Sequence, residues 1–363
     1  MKTILSIVPR LPPAIDGVGD YAWLLSKNLA ERHQISTQFI TCDPIESRIE
    51  DPSQIQLPQR STDALLTILD KFNNIDTILL QYVGYGYAKR GCPSWLLAAL
   101  TKWRKARSSR RLIIMFHEVY ASSNLPWSSQ FWTSPIQKKI AQDLINLCDR
   151  VITNGQIFAN TINKLSSKHD GKISIMPIFS NIGECSTPIP LKERNPWLVT
   201  FGNSGFRRSI YTNSLEQVTS ICQQLGIKEI YDIGHNSAEI VRQIPGVKVN
   251  PMGILPAPEI SQIFEMAQVG FINYPIPYIA KSGIFAAYAS HQLCSVFDWH
   301  NLGDNQDGIR LNEHYWSIGE GGASMNLDLA QSIANNAYQW YNRHNLDRST
   351  DCIAALLNTA NTL

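Results

Sequence analysis

The chain has 363 residues, 44% of them hydrophobic and 17% charged, with a formal net charge of +2. That is enough apolar material for two cores of domain size and too little charge for a disordered chain. A balance so near neutrality implies no nucleic-acid partner, and no nucleic-acid-binding motif is visible.

Cysteines at 42, 92, 148, 185, 222, 294 and 352 form no close pairs, so neither a zinc site nor a disulfide framework is expected and reduced thiols are the simpler account. Met1-Lys2-Thr3 leads into an apolar run that stops at Pro9. This is too brief for a signal peptide or a membrane span, so a cytoplasmic location is expected.

Short apolar runs alternate with amphipathic stretches from the start. In the first half the strands predicted are 4–8, 37–41, 77–82, 112–116, 151–154 and 173–177, with helices over 21–32 and 136–148 among them. Near-continuous apolar strands separated by helices predict a parallel sheet covered on both faces. Prolines and polar residues then break the pattern over 184–192, where a linker is expected. Strands follow at 198–201, 229–233, 247–250, 269–273 and 294–297, and the last third turns helical over 327–343 and 350–358. No repeat of about 20 to 50 residues is visible, which argues against a solenoid. The prediction is an α/β protein of two doubly wound, Rossmann-like domains, one over 1–183 and one over 197–344, joined by a linker over 184–196 and followed by a terminal helix over 345–363.

Two strands run into glycine-bearing loops. Gly17-Val18-Gly19-Asp20-Tyr21-Ala22 formally matches the dinucleotide fingerprint, and Asp43 follows the second strand, which would suggest a nicotinamide enzyme. In such enzymes the first glycine follows its strand at once. Here Pro9 to Asp16 intervenes, a proline-rich spacer that would push Gly17 and Gly19 toward a sugar or an acceptor. A plain helix-capping loop is the alternative. The second loop, Gly202-Asn203-Ser204-Gly205, precedes Arg207 and Arg208. Backbone amides and guanidinium forks together would make a diphosphate cradle, unless both arginines are merely solvated. Lys281-Ser282-Gly283 opens a third helix start, where amides and dipole favour phosphate and where lysine is otherwise unhelpful. His117 follows the strand 112–116, at the sheet end where α/β proteins bind ligands; a satisfied loop histidine is the alternative.

The order of these features, including Asn250-Pro251-Met252-Gly253-Ile254-Leu255, resembles the GT-B glycosyltransferases, and within them retaining glycosyltransferase family four. Ala280-Lys281-Ser282-Gly283 is similar to cyanobacterial enzymes of exopolysaccharide synthesis, the heterocyst-envelope type included. The resemblance covers almost the whole chain and implies two domains facing across a cleft, the first on the acceptor side and the second on the donor side, with the terminal helix packing back on the first. It assigns His117 and Gly19 to the transferred sugar and its chemistry. Gly17, Gly202, Arg207, Arg208, Lys281 and Ser282 fall to the donor's diphosphate, Gly234, Gly253, Ile254 and Leu255 to its nucleobase and ribose, and Tyr278, Ala280 and Gly283 to the sugar. The family's paired glutamates in the last loop and helix correspond here to Tyr278 and Ala286, so sugar and ribose must be held by other groups.

The implied activity is hexosyl transfer from a nucleoside diphosphate sugar, UDP-glucose first, to a saccharide or lipid-linked saccharide, with retention. No cofactor is expected. No Asp-x-Asp occurs, so transfer without a metal is expected. A nucleotide-sugar epimerase and a non-catalytic two-domain binding protein are the alternatives. Lys102, Trp103, Arg104, Lys105, Arg107, Arg110 and Arg111, beside Trp95-Leu96-Leu97, suggest either a peripheral contact with the inner face of the plasma membrane or an ordinary solvated helix face.

Overall fold

A computed structural model describes residues 2–14, 16–43, 53–121, 127–298, 305–317 and 324–359. Its elements run β1 (Lys2–Val8), α1 (Gly17–His33), β2 (Ile35–Thr41), β3 (Gln54–Gln56), α2 (Thr62–Lys71), β4 (Thr77–Tyr82), α3 (Gly84–Tyr87), α4 (Ser94–Ala106), β5 (Arg111–Phe116), α5 (Ser129–Leu147), β6 (Arg150–Thr153), α6 (Gln156–Leu165) and β7 (Ser174–Ile175). The chain continues through β8 (Trp197–Phe201), α7 (Ser204–Asn213), α8 (Leu215–Leu225), β9 (Glu229–Ile233), α9 (Ser237–Ile240), β10 (Lys248–Gly253), α10 (Ala257–Met266), β11 (Val269–Ile272), α11 (Gly283–Ser290), β12 (Cys294–Phe297), β13 (Trp316–Ser317), α12 (Leu327–Asn342) and α13 (Leu346–Asn358). Two compact units result, one of Met1–Pro177 with Leu346–Leu363, the other of Ile178–Asn345.

In the first unit the strand order is β3-β2-β1-β4-β5-β6-β7, every pair parallel. All six residues of β4 are buried, as a strand covered by helices on both faces requires. One face packs Leu5, Ile78, Leu112 and Ile114 against Leu65, Leu100 and Leu144 of α2, α4 and α5. Strand order reverses between β1 and β4, and ligands of open α/β sheets bind at such a switch point, beyond the carboxyl ends of the strands.

The last helix belongs to this unit. Asn28 Nδ2 of α1 donates to Asp347 Oδ1 and Thr350 Oγ1 of α13, each at 3.0 Å. Arg32 pairs with Asp347 at 2.9 Å and Asp351 at 3.0 Å, and Arg111 donates to the Leu356 and Leu357 carbonyls at 3.0 and 2.9 Å.

The predicted glycine loop at 17–19 is instead the first turn of α1. Asp16 Oδ1 accepts from Val18 N at 2.9 Å and Gly19 N at 3.0 Å, so a side-chain cap starts the helix there. The basic segment 102–111 also differs from the membrane-facing expectation. Leu96, Leu100 and Trp103 recur at helical spacing and are buried in the core. Arg104 pairs with Asp149 at 2.9 Å, Arg107 donates to Asn73 O, and buried Arg110 donates to Trp103 O, both at 2.7 Å. No apolar face is left there for a bilayer.

In the second unit the order is β10-β9-β8-β11-β12-β13, again wholly parallel. Its core joins Leu198, Ile230, Val269, Phe271 and Val296 to Ile210, Ile221 and Ile333 from the helices. The segment over 184–196 is built into this unit: Leu191 is a core residue, and buried Arg194 donates to the carbonyls of Ile189, Ala267 and His291 at 2.9 to 3.1 Å. Here the strand order reverses between β8 and β11, so the loops after those two strands flank the switch point.

Candidate functional site

Each unit gathers polar groups at the carboxyl ends of its strands. In the first, His117 follows β5 and is buried, its Nε2 2.8 Å from Gln81 Oε1 of β4. The Tyr21 ring of α1 meets the imidazole edge-on, centroids 5.2 Å apart, and burial holds the Tyr21 phenol well above its ordinary pKa. His117 is thus seated by a neutral amide and an aromatic edge. Asn154 follows β6, the strand beside β5, in register with His117 one step beyond the Phe116–Thr153 pair. The Asn154 amide is fully buried, and neither its Oδ1 nor its Nδ2 has a hydrogen-bond partner. A buried amide with both ends unmet costs roughly 1–3 kcal/mol, a cost that a polar ligand at this strand end would remove.

The first glycine pair does not form an open cradle. Gly17 has open space around it, whereas a Cβ on Gly19 would stand 2.5 Å from Arg10 O. Gly19 therefore allows the proline-bearing segment to cross close over α1. Arg10 is held there by Asp43 at 2.8 Å and by Asp16 at 3.9 Å, and Arg60 reaches Asp43 at 3.7 Å.

In the second unit three of the predicted glycines meet. Gly202 N donates to Ile233 O at 3.3 Å and Gly234 N to Gly253 O at 2.7 Å, so the ends of β8, β9 and β10 interlock. Gly234 has φ +142°, and a Cβ there would collide with the Gly202 carbonyl and the Arg207 guanidinium. Only glycine fits. A Cβ on Gly202 would meet Ile284 Cδ1 at 2.6 Å, which places the start of α11 beside the same loop.

The two arginines after this loop diverge. Arg207 is wholly buried and turned inward. Its Nε donates to Gly202 O at 2.9 Å and one terminal nitrogen to Ser237 Oγ at 3.1 Å, while the guanidinium pairs with Asp232 and donates to His235 O. Every arm is occupied, so Arg207 is the brace of the glycine junction and cannot also grip a diphosphate without dismantling it. Arg208, one residue on, is exposed.

Around α11, Ser282 caps the helix by accepting from Phe285 N at 3.2 Å and is itself buried. Gly283 begins the helix with no atom within 4 Å of a would-be Cβ. Lys281 is half-buried just before the cap, Tyr278 is exposed, and Ala280 is buried, its carbonyl accepting from Ile178 N at 3.0 Å. Ile254 is exposed and Leu255 half-buried after β10, an apolar pair at the end of the strand. Gly202, Gly234, Gly253 and the α11 start thus stand together. Asn154 and Asp298 were not anticipated. Asp298 follows β12, is buried, and accepts from Ser214 Oγ. Both are polar residues directly after a buried strand, the same signal that singles out His117. Among the described residues no group of three histidine, cysteine or carboxylate side chains is placed to hold a metal, and no helix among them is long and apolar enough to cross a membrane.

No protein-family model and no curated protein matches the chain in sequence. Solved structures do match its fold over nearly the full length. A glycosyltransferase from Rickettsia africae shares 14% identity with a TM-score of 0.62, covering 99% of each chain. An α-glucosyltransferase in complex with UDP and a 13-mer DNA containing a HMU base shares 10% at a TM-score of 0.59, covering 98% of each chain. The lipopolysaccharide outer core galactosyltransferase WaaB, in apo form, shares 11% at 0.58, covering 99% of this chain and 100% of its own. Two parallel α/β sheets of this order, matched end to end, give this chain the fold of the GT-B glycosyltransferases.

Proposed function

We propose that the protein is a glycosyltransferase that moves a hexose from a nucleoside diphosphate sugar, UDP-glucose in the first instance, to a saccharide or lipid-linked saccharide acceptor in polysaccharide synthesis. The observation that carries this reading is the junction of Gly202, Gly234 and Gly253 at the carboxyl ends of β8, β9 and β10, with Gly202 at the switch-point strand β8 and beside the first turn of α11. A backbone that must pass so close, with Arg207 fixing the Gly202 carbonyl, brings the loop after β8 against the first turn of α11, whose dipole is positive at that end. Such a helix start stabilises the negative charge that grows on a departing diphosphate. Arg208 and Lys281 supply cations near by, and Ile254 and Leu255 offer apolar surface to a base.

In the first unit His117 receives the transferred hexose. Seated by Gln81 and Tyr21, its ring donates or accepts one hydrogen bond to a sugar hydroxyl and needs no covalent role. The Asn154 amide takes up a second. Transfer proceeds with retention and without a metal, the cations and helix starts balancing the leaving group. The DNA of the α-glucosyltransferase complex is not carried over, because a net charge of +2 does not by itself imply a nucleic-acid partner and no nucleic-acid-binding motif is visible in the sequence.

The test is nucleotide release and thermal shift with UDP-, GDP- and ADP-sugars, with the product sugar resolved chromatographically. Release from one donor series and a raised transition are expected. Absence of both with every donor would overturn the reading, and an isomerised free donor would assign an epimerase instead.

A further inference from the structure

We infer that the N-terminal half of α5 is a docking surface for an anionic lipid bilayer. Buried Gln137 and the core residues Ile140, Ala141 and Leu144 anchor the helix to the first unit. Trp127, two residues before the helix, and Phe131, Trp132 and Ile136 on it lie outside that core. Trp127 is 82% exposed, Trp132 70%, Ile136 55% and Phe131 39%, with Tyr85 at 37% beside them. These are five of the ten large apolar side chains exposed in the described structure, gathered in one place. Folded monomers seldom leave so much aromatic surface together unless something covers it.

Cations frame the patch. Gln137 Nε2 donates to Arg90 O at 2.9 Å, Tyr85 OH at 3.3 Å and Thr133 Oγ1 at 3.1 Å, which clamps the 85–91 segment against α5. Exposed Lys89 and Arg90 lie on that clamped segment, and exposed Lys138 and Lys139 stand on α5 seven residues after Phe131 and Trp132, on the same side of the helix as those rings. Neither 85–92 nor 127–142 contains an aspartate or glutamate. The first acid beyond them, Asp143, is paired with Lys139 at 2.8 Å.

The occupant follows from this chemistry. Tryptophan and tyrosine prefer the bilayer interface, where a ring is half in hydrocarbon and its polar tip remains wet. Lysines and arginines among them are drawn to anionic headgroups. A protein partner fits less well, since the cores of protein interfaces are depleted in lysine. A small glycan fits poorly as well, because ligand sites are concave and these rings stand on the convex face of a helix.

The inference is independent of the nucleotide-sugar reading and is tested apart from it. Full-length protein is sedimented with vesicles of phosphatidylglycerol and phosphatidylcholine, and with phosphatidylcholine alone. Binding to the mixed vesicles should be stronger by about tenfold or more and should fall as salt is raised. Trp127→Ser with Trp132→Ser should weaken it by about tenfold or more, with the thermal transition unchanged. Lys138→Glu with Lys139→Glu should reduce it to the level seen with neutral vesicles, which provides a second measurement should the tryptophan variant fold poorly. Equal binding to both vesicle types, no binding, or binding retained in folded tryptophan and charge variants would overturn the inference. So would a dimer, seen by gel filtration, that the tryptophan substitutions dissociate, because the patch would then belong to a second copy of this chain.

Discussion

Replacing Arg207 by methionine separates a structural arginine from a ligand-binding one. The substitution keeps much of the aliphatic stem and removes the bonds to Gly202 O, Asp232, Ser237 and His235 O. Asp232, fully buried, would keep neutral partners such as Thr200 Oγ1 at 2.7 Å but lose its cation. Breaking one side of a buried ion pair costs about 3–5 kcal/mol, because the surviving charge has no water to turn to. For a unit the size of Ile178–Asn345 each kcal/mol lowers the transition by about 2–4 °C, so a drop of roughly 6–20 °C is expected. Differential scanning calorimetry resolves this as movement of the second unit's transition. Arg207→Met with Asp232→Leu should recover part of the loss, since no buried charge remains. Arg208→Ala should leave the transition within about 0.5 kcal/mol of wild type while weakening UDP binding about tenfold, as loss of a charged hydrogen bond would. An Arg207→Met transition within about 2 °C of wild type, coupled with lost UDP binding, would refute the assignment of Arg207 as a brace.

Three further outcomes follow from the packing. Gly19→Ala forces a Cβ to within 2.5 Å of Arg10 O and should cost about 1–3 kcal/mol in denaturant unfolding; unchanged stability would show that Gly19 is not there for the close crossing. Burial lowers the pKa of His344 to about 3, against an ordinary value of 6.5, so between those values the unfolded chain binds a proton that the folded one refuses. Stability should therefore fall as pH drops from 6.5 toward 3, by about 1.4 kcal/mol per pH unit for this group, and His344→Gln should flatten that slope in urea melts at stepped pH. Asn154→Ala removes two unmet buried polar atoms and should leave stability level or raise it by roughly 1 kcal/mol, while sugar-nucleotide turnover falls; a large destabilisation would mean that the amide is satisfied in the folded protein.

Much of the fold is legible in the sequence because buried parallel strands need apolar residues on both faces. The runs at 77–82 and 294–297 are nearly featureless in chemistry and therefore plain to see, and β4 and β12 lie where those runs are. The short strands β3 and β13, of three and two residues, are specified by their neighbours and carry too few side chains to show a pattern. The start of α1 went the other way. Gly17-Val18-Gly19 has the composition of a loop, yet Asp16 caps the two amides that follow and starts the helix, so one side-chain bond outweighed the low helix propensity of two glycines.

The site shows where sequence adjacency stops being informative. Arg207 and Arg208 are neighbours of one chemical type, and only a carboxylate in the next strand, Asp232, separates a buried brace from an exposed cation. No local pattern holds that information, since it depends on the β8–β9 register, Thr200 opposite Asp232. The basic helix is different, because its spacing contained the answer. Leu96, Leu100 and Trp103 at i, i+4 and i+7 mark one buried stripe, so the tryptophan among the arginines belonged to the core from the outset. Phe131, Trp132 and Ile136 do not share a stripe with Ile140, Ala141 and Leu144, and it is the latter that pack into the core. Two aromatic segments of similar composition thus have opposite fates, decided by which of them is in phase with its helix's apolar face. The same test of phase and position extends to polar residues: His117, Asn154 and Asp298 each stand one step past a buried strand, where the sheet has no further use for an apolar side chain and a polar one can meet a ligand.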